Sequence, residues 1–214
     1  MNLILLAIGW GLVGAAGGWV VRWGSVRLAR LEELTSGFRP WQQYGPPILS
    51  AALFFAFAIH LGATAPLFVR SLFVLVLVQV IFFDFEHRLI LDRVMFPSMV
   101  LALLQSLFAH PWWAGIATGI GAGLLFLGLS LAGAALFKTE ALGFGDVKLA
   151  LFMGLLLGWP YTAQALFYGV LLAGLVAIGI IIWRRSLTGT IAYGPYLAAG
   201  AVIMLFQIPP NGPA

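Results

Sequence analysis

The sequence predicts an all-α fold, a polytopic membrane helix bundle of about eight transmembrane helices, and three observations predict it. Hydrophobic residues make up 62% of the chain and charged residues only 8%, where ordinary soluble domains carry about 25% charged residues. The apolar residues fall into runs bounded by charges, proline and glycine, and no polar gap is long enough to fold as a separate soluble unit. The basic residues gather at the ends of those runs, as they do on the cytoplasmic loops of membrane proteins. The reading is a single membrane domain over residues 1–214.

The runs lie at about 3–21, 47–61, 67–83, 94–109, 114–137, 147–158, 162–183 and 191–208. No basic residue precedes the first, so it reads as a retained span and not as a secretory signal. Residues 22–46 then form a short cytoplasmic loop. Within it Val26, Leu28, Leu31 and Leu34, with Arg and Glu between them, fit a short amphipathic helix on the inner membrane surface, against the plainer reading of a solvated connector whose arginines only fix topology. The sixth run, about a dozen residues, is short against the roughly 20 that cross a bilayer upright. Small residues from Gly14 to Gly18 and from Gly119 to Gly123 permit close helix packing.

Charge orients the bundle. With the N-terminus outside, Arg22, Arg27, Arg30, Arg39, Arg88, Arg93, Lys138, Lys148, Arg184 and Arg185 all fall on the cytoplasmic side, and Arg70 alone lies outside. The acids Glu32, Glu33, Asp84, Glu86, Asp92, Glu140 and Asp146 share the inner side. The net charge of +4 is scattered over span ends, which argues against nucleic acid as a partner and leaves the lipid bilayer. The absence of cysteine excludes disulfides and Cys-ligated zinc.

Two acidic segments border apolar sequence. Asp146 stands in Gly143-Phe144-Gly145-Asp146-Val147-Lys148, and Asp84 closes the run from Leu72 to Phe83 and opens Asp84-Phe85-Glu86-His87-Arg88-Leu89-Ile90-Leu91-Asp92. An aspartate at a membrane helix centre costs roughly 2.5 to 3.5 kcal/mol on insertion scales, so an acid kept beside a span points to function. Two carboxylates at close range cannot both ionise, and a pair sharing one proton can activate water against a carbonyl. Gly143 and Gly145 allow positive φ and close approach of a substrate strand, with Lys148 as a further support of the catalytic loop. The competing reading has the two acids capping helices, Asp84 with Arg88 and Asp146 with Lys148. Glu86 and Asp92, beside Arg88 and Arg93, read as members of surface ion pairs. His87 lies at the inner interface, whereas His60 and His110 lie near outer ends. No metal-ligand spacing is present, so no metal is expected. A proton- or cation-coupled transporter using the same acids is the alternative outside enzymes.

At these residues the chain resembles the type IV prepilin peptidase family, membrane aspartyl proteases with a Gly-x-Gly-Asp motif. Glu140 to Leu149 is similar to the family's second catalytic segment and Asp84 to Asp92 to its first. Ala192-Tyr193-Gly194-Pro195-Tyr196-Leu197-Ala198 is similar to its C-terminal Pro-Phe-Gly-Pro-Tyr-Leu-Ala signature. The resemblance implies that Asp84 and Asp146 are catalytic and that residues 67–208 form the protease core. It also implies an inner-membrane enzyme whose partners are type IV prepilin or pseudopilin precursors, cut at the cytoplasmic face behind a basic leader. Leu91 stands where the family usually has proline, and residues 1–66 are divergent. Bifunctional members carry paired Cys-x-x-Cys in the first cytoplasmic loop and a glutamate entering the second span; here there is no cysteine, and Pro47 stands at the latter position. The expectation is therefore a peptidase without a cofactor, S-adenosylmethionine entering only if methyl transfer is retained. Presenilin-like intramembrane proteases share Gly-x-Gly-Asp, but their Pro-Ala-Leu and Tyr-Asp motifs are missing.

Overall fold

The computed structural model describes residues 2–37, 39–137, 143–184 and 192–209. Among them the chain forms eight helices and no strand: α1 (Leu3–Leu31), α2 (Pro40–Leu61), α3 (Ala65–His87), α4 (Asp92–Phe108), α5 (Trp113–Phe137), α6 (Phe144–Leu157), α7 (Tyr161–Arg184) and α8 (Gly194–Gln207). Five of these, α1, α2, α3, α5 and α7, are long and apolar enough to cross a membrane. The helices α4, α6 and α8 have 17, 14 and 14 residues, about 26, 21 and 21 Å at 1.5 Å per residue, against a hydrocarbon core of about 30 Å. The expected polytopic helical membrane protein is what the chain builds. The sequence placements of Lys138, Glu140 and Arg185 lie outside the described residues.

One difference concerns residues 22–46. They are mostly helical, because α1 continues ten residues past Val21 and α2 begins at Pro40, leaving 32–39 as the connector. The buried residues of α1, Ala7, Gly14, Gly18, Arg22, Ser25 and Ala29, form one stripe at helical spacing. The stripe turns from small to polar at Arg22, which is why hydropathy ends the run there while the helix goes on. Its buried face is Arg22, Ser25 and Ala29, and Leu31 of the expected apolar face is exposed.

The chain divides into two compact units, one of Met1–Leu89 with Pro209–Gly212 and one containing Ile90–Ile208. In the first, α1 packs on α2 and both pack on α3. The crossing of α1 and α2 is close: a Cβ on Gly18 would lie 2.4 Å from the Cα of Pro47, and one on Gly14 2.5 Å from the Ser50 carbonyl oxygen. Pro40 opens α2 at a position where its missing N–H is not needed, and the Gln42 side chain accepts the Arg39 N–H at 2.9 Å. At the far end Gly62, at φ 63°, ends α2.

In the second unit α6 touches each of α4, α5, α7 and α8. Every residue from Leu149 to Leu157 except Leu151 is buried, as befits a helix apolar on all sides and enclosed by others. Backbone meets backbone where α5 crosses it, since a Cβ on Gly154 would lie 2.4 Å from the Cα of Gly119. The glycines 119 and 123 thus serve packing, as their spacing predicts.

Candidate active site

Asp84 occupies the last turn of α3 and is 5% exposed. Its carbonyl accepts the N–H of Arg88 at 2.8 Å. Arg88 ends the helix in the left-handed region, φ 54° and ψ 40°, a conformation few residues other than glycine adopt. The chain enters α4 at Asp92.

Glu86, expected in a surface pair beside Arg88, instead has its side chain buried and joined to α1. Its Oε2 lies 2.9 Å from Nη1 of Arg22, the two side chains 6% and 8% exposed. Its Oε1 accepts the Gly37 N–H at 2.5 Å, while Arg22 Nη2 donates to the Gly37 carbonyl at 2.6 Å. His87 packs on Phe83 with ring centroids 4.6 Å apart, and its Nε2 lies 3.7 Å from Glu86 Oε1. Asp84, Glu86 and His87 thus share one helix end, with Arg22 and Gly37 closing around Glu86. Hydropathy hides Arg22 as a topology marker; the usable signal is a basic residue at the spacing of the small-residue stripe of α1.

Asp146 lies in the first turn of α6, 9% exposed, with its N–H bonded to the Gly143 carbonyl at 3.0 Å. Neither motif glycine works through a left-handed backbone. Gly143 is extended, at φ −70° and ψ 148°, and Gly145 is helical. Their value lies in space. A Cβ on Gly143 would stand 3.7 Å from Oδ2 of Asp146, and one on Gly145 would stand 3.0 Å from Cβ of Ile90. Glycine at 143 keeps the approach to the carboxylate open, and glycine at 145 lets the start of α6 sit on the residue two before α4.

Lys148 does not pair with Asp146 in the way the capping reading supposes. Its Nζ is bonded to the carboxylate of Asp92 in α4. The Lys148 ammonium also lies 4.9 Å from the ring centroid of Phe144 and 5.4 Å from that of Phe96. Asp92 is half-exposed and bound to Lys148, not to Arg88 or Arg93 as the loop spacing implied. Tyr193, which precedes α8, has its phenol pushed above its ordinary value by burial and, to a smaller extent, by the Asp146 carboxylate. It is a neutral donor at working pH. The second unit therefore gathers Gly143, Gly145, Asp146 and Lys148 with Ile90, Asp92 and Tyr193.

His60 lies in the last turn of α2 and His110 beyond the end of α4, at helix ends that carry neither aspartate. Among the described residues no three His, Cys, Asp or Glu side chains gather in a way that could hold a metal ion.

No curated protein and no protein of solved structure matches the chain. A family model does: the type IV leader peptidase family matches residues 71–178, half of the chain, from the first turns of α3 to within α7. That segment holds both buried aspartates, the Gly-x-Gly-Asp glycines and the Asp92–Lys148 pair, and the chain belongs to the type IV leader peptidase family.

Proposed function

We propose that the protein is a membrane aspartyl endopeptidase in which Asp84 and Asp146 activate water, and that it removes the basic leader from type IV prepilin or pseudopilin precursors. The observation that carries this reading is the burial of two aspartates at helix ends inside the segment matched by a leader peptidase family. A carboxylate buried without a task is a liability in a membrane protein. The helix ends differ in a way that divides the work. The helix dipole favours a negative charge in the first turn of α6 and opposes one in the last turn of α3, by about 0.3–1 kcal/mol each at exposed sites. Asp146 is accordingly the carboxylate that draws a proton from water, and Asp84 carries the proton that hydrogen-bonds the scissile carbonyl oxygen. The titration belongs to the pair, giving a bell-shaped dependence of cleavage on pH. Lys148, Gly143 and Gly145 support the loop that presents Asp146.

The test is cleavage of a pilin-like precursor by purified, folded variants in detergent. Asp84→Asn and Asp146→Asn each abolish cleavage, since an amide fills neither protonation role; a variant cutting near the wild-type rate overturns the dyad. Topology is tested by thiol labelling from outside intact cells, in a chain with no native cysteine. With the N-terminus outside and the active site at the cytoplasmic face of the inner membrane, His110→Cys reacts and Thr35→Cys does not. The new terminus leaves the enzyme unmethylated on this reading, because Pro47, where bifunctional relatives carry an acid, is packed on Gly18 between α1 and α2. The mass of mature pilin from a host lacking its own processing enzyme checks it, and a gain of one methyl group dependent on this protein overturns it.

A further inference from the structure

We propose that Arg22 and Glu86 are a positioning pair for Asp84, clamping the α1–α2 connector onto the end of α3 that carries it; this rests on Asp84 being catalytic. The bonds form a closed ring. One guanidinium nitrogen holds Glu86 at 2.9 Å, the other holds the Gly37 carbonyl at 2.6 Å, and the Gly37 N–H returns to Glu86 at 2.5 Å. Both charged groups are buried, so each depends on the other and on the Gly37 peptide to satisfy it. A side chain at position 37 would displace the Gln42 amide, since a Cβ there would lie 2.2 Å from its Oε1, the atom that accepts the Arg39 N–H. The ring therefore joins α1, the connector and α3 into one polar junction.

Its geometry directs it at Asp84 without competing for Asp84's proton. At 100° per residue, Gln79 and Glu86 lie on one face of α3, two turns apart, and both bond α1: Ser25 Oγ donates to Gln79 Oε1 at 2.9 Å. Asp84 leaves the helix roughly 140–160° away from that face, so the α1-facing bonds hold the turn while the opposite side presents the acid. The junction is needed because α3 ends immediately beyond it, at Arg88 in the left-handed region. Without a lateral tie the last turn of a helix frays, and Asp84 belongs to that turn. Glu86 acts through the backbone that carries Asp84 and touches no reacting atom.

The experiment uses the full chain in detergent with a pilin-like precursor, measuring kcat and KM separately and, in parallel, the thiol labelling rate of Ser36→Cys. Ser36 Oγ is buried beside the junction, so its labelling reports release of the connector. Glu86→Gln lowers kcat about 10- to 100-fold, the scale of a misplacement near an ångström, with KM within about twofold, and raises Ser36→Cys labelling several-fold. Arg22→Lys, which keeps the charge but cannot span Glu86 and the Gly37 carbonyl together, gives a smaller loss of the same kind and serves if Glu86→Gln does not fold. Wild-type kcat in both Glu86→Gln and Arg22→Lys overturns the proposal, as does a rise in KM alone. Asp84→Asn is measured beside them: if it still cleaves, the aspartyl reading fails, while the labelling continues to report the clamp on its own.

Discussion

Asp84 and Asp146 are both buried, yet the two units hold them by different physics. The end of α3 is tied by charge-assisted hydrogen bonds from a distant helix and a connector peptide. The start of α6 is tied by volume: glycine against Ile90 at its first turn and glycine against glycine where α5 crosses. The Asp92–Lys148 ion pair beside it is half-exposed on the acid side. The difference teaches where each acid is vulnerable. Charge removal should injure the first unit and volume addition the second.

The largest expected effect tests the second half of that statement. Gly154→Leu forces a side chain into the Gly119 backbone, 2.4 Å from where a Cβ would stand. Overpacking of this kind costs about 3 kcal/mol or more, because backbone cannot step aside as a flexible side chain can. Thermal unfolding in detergent should show a large fall in midpoint or no folded protein. Gly121→Leu on the same α5 is the control, since nothing lies within 4 Å of a Cβ there, and it should change the midpoint little. Equal damage at both glycines would break the comparison.

A smaller effect is expected at the motif itself. Gly145→Ala places a methyl 3.0 Å from Cβ and 3.3 Å from Cγ1 of Ile90, and the neighbour must give by a few tenths of an ångström. Cleavage should fall about tenfold, since catalytic placement is sensitive at that scale, and Gly145→Ala with Ile90→Ala should recover part of it. Gly143→Ala meets only an ordinary 3.7 Å contact with Asp146 and should retain more activity than Gly145→Ala. The reverse order would mean that open space above the carboxylate matters more than the seat of α6.

Much of this was legible in the residues. Long apolar runs, charges at their ends and the glycine spacings foretold eight helices and their close crossings, because burial and backbone approach are local demands written in composition. The two aspartates were legible for the same reason: an acid beside a span stands out. What pattern could not show is partnership between distant segments. Glu86 looked like a loop acid because Arg88 and Arg93 are its neighbours in sequence, whereas its partner Arg22 is 64 positions away. Lys148 looked like a partner for Asp146 at two residues, but side chains two apart on a helix do not face each other, and its ammonium reaches Asp92 across 56 positions. The glycines of Gly-x-Gly-Asp read as sites of positive φ and of close approach by a substrate strand; neither has a positive φ, and the close approach at Gly145 is to Ile90, which arrives from another helix end.

The smallest expected effect belongs to that Asp92–Lys148 pair, and it sharpens the contrast with Arg22–Glu86 most directly, since both are acid–base pairs within two residues of a buried aspartate. The Asp92 side chain is 53% exposed where Glu86 is 6%. Water and salt screen the former, and exposed pairs are worth about 0–1 kcal/mol. Asp92→Asn should therefore shift unfolding by less than about 1 kcal/mol, and raising the salt concentration should erase the difference from wild type. Lys148→Met should cost somewhat more than Asp92→Asn, because the ammonium also loses the faces of Phe96 and Phe144, contacts worth about 0.5–1 kcal/mol at exposed sites. Lys148→Arg, which keeps a cation over both rings, should recover that increment. The measurement is the unfolding midpoint at low and high salt for the three variants beside Glu86→Gln. A salt-insensitive loss in Asp92→Asn as large as that in Glu86→Gln would show that the second unit, too, relies on a desolvated charge, and that its hold on Asp146 is not one of volume alone.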